Sequence, residues 1–115
     1  MTRPIRFRQW MGNRFNYWGF IEDGSFRGPA SDTNKGGINP SEQFTGLHDK
    51  NGKEAYEDDI AVHPGGGALC RIVFEPQMGG YGFRDKENAW QGMLRTSLEF
   101  EVIGNIYENP ELLNH

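Results

Sequence analysis

Gln43-Phe44-Thr45-Gly46-Leu47-His48-Asp49-Lys50-Asn51-Gly52-Lys53-Glu54-Ala55-Tyr56-Glu57-Asp58-Asp59-Ile60 reads as a β-hairpin and the start of the strand after it. Residues 43–47 form a short strand. Asp49-Lys50-Asn51-Gly52 is a turn, because Asn and Gly accept the positive φ that tight hairpins need. A strand at Glu54–Tyr56 returns, and another follows at Asp59–His63.

Toward the C-terminus the same alternation of strand and turn continues. Pro64-Gly65-Gly66-Gly67 is a flexible turn before the most apolar run of the chain, residues 68–75, which reads as a central strand. Gly79-Gly80 turns the chain into Tyr81–Arg84. Asp85 is placed to cap a short helix, with Ala89, Trp90, Met93 and Leu94 at helical spacing and Gly92 weakening it. Residues 98–107 read as a strand with Leu98, Phe100 and Val102 inward and Glu99 and Glu101 outward. Asn109-Pro110-Glu111 has the chemistry of a cap, a first-turn proline and a favourable acid for one last helical turn.

Toward the N-terminus, residues 4–10 alternate, with Ile5, Phe7 and Gln9 on one face and Arg6, Arg8 and Trp10 on the other. Gly12-Asn13 is a turn. Residues 14–21 carry Phe15, Tyr17 and Ile21 on one face and Trp18 and Phe20 on the other, so both faces need cover. Residues 22–42 form a long polar loop in which Phe26 and Ile38 are the sizeable apolar residues. The expected fold is mainly β: one domain over residues 1–115, a small, strongly bent antiparallel sheet or β-barrel, one short helix and a C-terminal helical turn.

Composition agrees with a turn-rich β domain. The chain has 115 residues, 16 of them Gly, and only 36% are hydrophobic, so eight Phe, four Tyr and three Trp must carry the core. The net charge of −4 disfavours a non-specific nucleic-acid binder. Arg3, Arg6, Arg8 and Arg14 crowd one end, and Glu99, Glu101, Glu108 and Glu111 the other, which suggests that the termini meet and neutralise each other. The single cysteine, Cys70, lies in an apolar run and reads as a buried thiol. No apolar stretch is long enough to span a bilayer and no signal peptide opens the chain, so the cytoplasm is the expected location.

Catalytic and metal patterns are not assembled. The serines lack a nucleophile-elbow context. His48, His63 and His115 have no metal-ligand spacing, and the acids Glu54, Glu57, Asp58 and Asp59 lack the regular calcium loop. Gly65-Gly66-Gly67 precedes a strand instead of a helix, which is wrong for a phosphate cradle. No cofactor, metal or catalytic residue is therefore expected.

Three segments together are distinctive: residues 43–60 as quoted, Phe100-Glu101-Val102-Ile103-Gly104-Asn105-Ile106-Tyr107-Glu108-Asn109-Pro110-Glu111-Leu112-Leu113, and Ile5-Arg6-Phe7-Arg8-Gln9-Trp10. They closely resemble the YopX family of bacteriophage and prophage proteins. The resemblance implies a phage or prophage origin and a β-rich fold, and brings no catalytic residue or cofactor. The family has an aliphatic residue where Ala55 stands and Gly where Asp58 stands, so Asp58 is expected at positive φ, which Asp tolerates better than most residues.

The functional expectation is a non-enzymatic phage accessory protein that binds a host or phage protein, or itself, through Tyr17, Trp18, Phe20 and Phe26. The alternative is a nucleotide or nucleic-acid module using Arg6, Arg8, Trp10 and Arg14, where basic and aromatic residues interleave. Inhibition of a host defence factor is a special case of partner binding.

Overall fold

Asp49 builds the central turn. In the computed structural model its Oδ1 accepts the backbone N–H groups of Asn51 and Lys53, both at 2.9 Å, and Gly52 takes φ +83°. The structure describes residues 5–20, 25–29, 31–32, 37–38, 41–95 and 99–113. In chain order the strands are β1 (Arg6–Trp10), β2 (Phe15–Phe20), β3 (Phe26–Arg27), β4 (Ser31–Asp32), β5 (Gly37–Ile38), β6 (Ser41–His48), β7 (Glu54–Tyr56), β8 (Asp59–Val62), β9 (Leu69–Glu75), β10 (Gly80–Asp85), β11 (Trp90–Met93) and β12 (Glu101–Asn105). A 3₁₀ turn at Pro110–Leu113 follows.

The strands make two open five-stranded antiparallel sheets, in the orders β3-β2-β1-β6-β7 and β11-β10-β9-β8-β12, with β4 and β5 as a separate ribbon. Neither sheet closes into a barrel or curls strongly, which corrects that part of the expectation. Two features explain it. Between β7 and β8 the chain turns a corner at Asp58, whose φ is +69°, and leaves one sheet for the other. The outer edge of β12 is also occupied: Asp49 Oδ2 accepts the Val102 N–H at 2.8 Å, and Asn109 Oδ1 accepts the Asn105 N–H at 3.3 Å. An edge capped by side chains cannot continue a ladder. The positive φ expected for Asp58 is thus found.

The expected helix after Asp85 is a strand. Asp85 Oδ1 accepts the N–H groups of Glu87 and Ala89, both at 2.9 Å, and the Asp85 N–H reaches back to the Ala89 carbonyl at 3.0 Å. That closes a hairpin, with Asn88 at φ +65° and Gly92 at φ +111°. A shift of register between Gly82 and Arg84 lets the apolar residues of β11 face the sheet at a spacing that mimics a helix. The helical turn at the C-terminus is present as 3₁₀. Asn105 organises the approach to it, its Oδ1 accepting the Tyr107 and Glu108 N–H groups at 3.0 and 2.8 Å.

The stretch expected as a polar loop at 22–42 contains β3, β4, β5 and the first residues of β6, so it is partly ordered into strands. Residues 22–24, 30, 33–36 and 39–40 of it lie outside the described residues, as do Arg3, Ile21, Leu98 and His115. The apolar core sits on the second sheet: Ala61, Cys70, Ile72, Phe83, Leu94, Phe100 and Val102, joined by Ala55 of β7. Phe83 and Phe100 meet edge to face at 5.7 Å. Among the described residues, no helix is long and apolar enough to cross a membrane.

Candidate functional site

The first sheet carries aromatic side chains on both faces. On one face, Phe7 stacks on Trp18 at 4.3 Å, Trp18 meets Phe26 at 6.4 Å, and Phe26 meets Phe20 at 5.5 Å. These rings cross β1, β2 and β3 as a continuous ladder, as the pairing of Phe7 with Trp18 and of Phe20 with Phe26 requires. The Trp18 indole N–H donates to Ser41 Oγ at 2.9 Å, which fixes the middle ring. Gly19 allows the close approach beside it: at φ +117°, a Cβ there would collide with the Ile5 carbonyl, which accepts the Phe20 N–H. Phe20 is 51% exposed and Phe26 61% exposed, so the outer end of the ladder is open to solvent.

The other face surrounds a charge. Arg8 is 4% exposed and lies between the rings of Phe15 and Tyr56, its guanidinium carbon 4.3 and 4.9 Å from their centroids. Its Nε donates to Glu42 Oε1 at 2.9 Å, its Nη1 meets Asp59 Oδ1 at 2.8 Å, and its Nη2 donates to the Glu57 carbonyl at 3.1 Å. Arg6, one pair nearer the surface, holds Glu54 at 2.6 Å and lies 4.9 Å from the centre of the Phe44 ring. A guanidinium suits this place because its planar fork can satisfy several acceptors while its faces lie on rings.

The cluster has two carboxyl groups for one guanidinium. Glu42 is also 4% exposed, and its Oε2 is buried without a hydrogen bond of acceptable geometry; the Asp58 carboxyl and the Tyr107 hydroxyl are its polar neighbours. Burial, then Asp58, pushes Glu42 up to about 9 against the pull of Arg8. Burial also raises Asp59, again opposed by Arg8. Burial disfavours the charge of Arg8 itself, but Asp59 and Glu42 outweigh it and leave Arg8 raised. Tyr107 is pushed up to about 12 by burial and then by Glu42. Beside the cluster lies a cleft of about 270 Å³ whose walls include Tyr17, Lys53, Tyr56, Asp59 and Glu108.

The residues expected at a partner surface divide between the two faces. Trp18, Phe20 and Phe26 share the ladder. Tyr17, 48% exposed, stands on the opposite face and meets Tyr56 at 5.7 Å. The residues expected to contact nucleic acid do not form a basic surface: Arg6 and Arg8 are held in ion pairs, Trp10 stacks on Tyr107 at 5.7 Å, and Arg14 is exposed. The terminal segments do meet, through Trp10, Phe15 and Tyr107; among the described residues the ion-pair partners of Arg6 and Arg8 are Glu54, Glu42 and Asp59, and Glu101 pairs with Lys50. Sequence reading missed Phe7 as part of the ladder, and Glu42 and Asp59 as partners of Arg8. The strand alternation placed Phe7 opposite Arg8, a usable signal for the first; nothing in the order of residues reveals the second.

Cys70 is fully buried, and its thiol is pushed up to about 11 by burial and then by Asp85. His63 Nδ1 accepts the Gly65 N–H at 2.9 Å, and its ring meets Phe83 at 5.0 Å. Both side chains therefore serve packing and turn formation.

No curated protein matches the chain. Its fold is similar to that of a solved structure, "Crystal structure of protein EF1440 from Enterococcus faecalis", with a TM-score of 0.55 and 22% identity over 97% of this chain and 99% of that one. The family model described as "YopX protein" matches residues 21–114. That span contains two of the three segments that carried the resemblance, residues 43–60 and 100–113, along with the stretches between them that had no distinctive match; the opening strand precedes it. With most of its length matched, the chain belongs to the YopX family.

Proposed function

We propose that this YopX-family protein is a non-enzymatic accessory protein of a phage or prophage that acts in the host cytoplasm by docking a protein partner, a second copy of itself included, on the ladder of Phe7, Trp18, Phe26 and Phe20. The observation that carries this reading is the exposure of Phe20 and Phe26 at the outer end of four contacting rings. Contiguous exposed aromatic surface of this kind is typical of interfaces, and its rings lose little conformational freedom on binding. The short β3 leaves Phe26 at the edge of its sheet, where a partner can reach it.

The buried, inert setting of Cys70 supports a non-enzymatic role. The nucleic-acid reading draws less support, because Arg6 and Arg8 are engaged by carboxylates and Arg8 has almost no surface to offer a phosphate.

The test is a paired experiment on the natural chain and a Phe20→Ser/Phe26→Ser variant. Multi-angle light scattering over a range of concentrations reads self-association, and tagged capture from a host carrying the phage reads other partners. The natural chain is expected to self-associate or retain a specific protein, and the variant to lose that interaction while keeping its circular dichroism spectrum. A natural chain that stays monomeric and retains nothing that the variant does not also retain would overturn the proposal.

A further inference from the structure

The junction of the two sheets contains one carboxyl too many. Arg8 enters it from β1, Glu42 from β6, Asp58 from the β7–β8 corner, Asp59 from β8 and Tyr107 from the segment after β12. On the far side of Asp58, Arg71 of β9 approaches to 3.7 Å. Arg8 satisfies one oxygen of Glu42 and one of Asp59, and the second oxygen of Asp59 accepts the Tyr56 N–H at 2.8 Å. Glu42 Oε2 is left over and buried, and the Glu42 carboxyl has the Asp58 carboxyl as its neighbour. An ionised Glu42 there, buried, faces the like charge of Asp58, and the Tyr107 hydroxyl is an uncharged neighbour that cannot neutralise it. A protonated one can donate to the Asp58 carboxyl beside it.

The backbone that carries this neighbour is pinned on two sides. The Asp58 N–H donates to the Ile72 carbonyl at 2.7 Å, and the Asp58 carbonyl accepts the Ile106 N–H at 3.2 Å. Asp58 is thereby tied to β9 and to the segment after β12 while it faces Glu42 on the other sheet. The adjacent Glu57 N–H donates to the Gln43 carbonyl of β6 at 3.0 Å, so the corner and Glu42's own strand are directly joined.

We propose that Glu42 is a pH-sensitive latch between the two sheets: with a proton on Oε2 it closes the joint around Arg8, and without one it loosens the grip of β1 and β6 on the β7–β8 corner. The inference is independent of what docks on the aromatic ladder. Its sign follows from linkage. A carboxyl whose folded value lies above its ordinary 4.5 gives stability that is fully present below pH 4.5 and is lost as the pH rises through about 9.

The test compares the natural chain with Glu42→Gln, which keeps an oxygen for Arg8 and replaces the proton-bearing oxygen by a permanent donor. Chemical denaturation across the alkaline range is expected to show the unfolding constant of the natural chain rising, relative to that of E42Q, roughly tenfold per pH unit from pH 7 up to about 9. Hydrogen exchange, corrected for its intrinsic pH dependence, is expected to show the amides of Tyr56 and Glu57 losing protection earlier than those of Ile72 and Phe83. Identical pH profiles for the two proteins would overturn the proposal. If E42Q does not fold, carbon-13 NMR of the Glu42 carboxyl in the natural chain decides: titration near pH 9 supports the latch, and titration in the ordinary carboxylate range refutes it.

Discussion

The two sheets of this protein are held together by different means. The second sheet packs apolar side chains: Ile72, Phe83 and Phe100 have no exposed surface, and Cys70 and Ala61 fill the space between them. Among the described residues of the first sheet, the large buried apolar side chains are Phe44 and Tyr56, 5.4 Å apart. Its inner face is organised by Arg8, with carboxylates in its plane and rings on its faces, and its outer face by stacked rings that end in solvent. The difference shows how a chain with only 36% hydrophobic residues builds two sheets. One sheet takes most of the aliphatic content, and the other relies on rings and a buried charge, whose stabilisation depends on geometry and pH.

The comparison can be broken at a matched pair of phenylalanines. Phe83→Ala in the second sheet is expected to cost about 3–5 kcal/mol in chemical denaturation, because it leaves a cavity in a closed core. The same truncation of Phe20 in the first sheet is expected to cost under about 1 kcal/mol, since half of that ring already faces water. Equal losses at the two positions would show that the sheets are not divided in this way.

A smaller effect sharpens the comparison at the seam. Asp49 ties the β6–β7 turn of the first sheet to β12 of the second through the N–H groups of Asn51, Lys53 and Val102. Burial would raise its carboxyl, but those donors, Val102 foremost, hold it below its usual value. Its contribution is therefore present above pH 3.8 and lost as the pH falls through the lower folded value. Asp49→Ala is expected to cost about 2–3 kcal/mol at neutral pH and to show a weaker fall in stability on acidification than the natural chain. Glu42 should behave in the opposite sense, losing stability toward alkaline pH, so acid and base titrations separate the two carboxyls.

Much of the second sheet was legible in the sequence, and less of the first. The apolar strand around Ile72 and the inward Phe100 and Val102 follow from period-two alternation, and in the first sheet the Asn51-Gly52 turn between β6 and β7 follows from turn chemistry; both are local properties. Asp58 was legible because a backbone at positive φ restricts residue type. Asp85 was misread because an Asp that starts a hairpin turn and an Asp that caps a helix both accept backbone N–H groups a few residues further on, and a strand with a register shift imitates helical spacing. Alternation places Trp18 and Phe20 on one face, and the structure has both in contact with Phe26. Tyr17 was grouped with them although alternation sends it to the other face. Arg8 was read as a surface cation because alternation tells which residues share a face, but not whether another sheet covers that face. Its partners Glu42 and Asp59 lie 34 and 51 positions away, beyond any local pattern.

The most direct measurement is the stability of Arg8→Met by chemical denaturation at neutral pH. If the first sheet is organised around this buried cation, removing it leaves Asp59 without its counter-charge and Glu42 Oε1 without its donor, and a loss of about 3–5 kcal/mol is expected. A loss below about 1 kcal/mol would contradict the claim that Arg8 joins the two sheets.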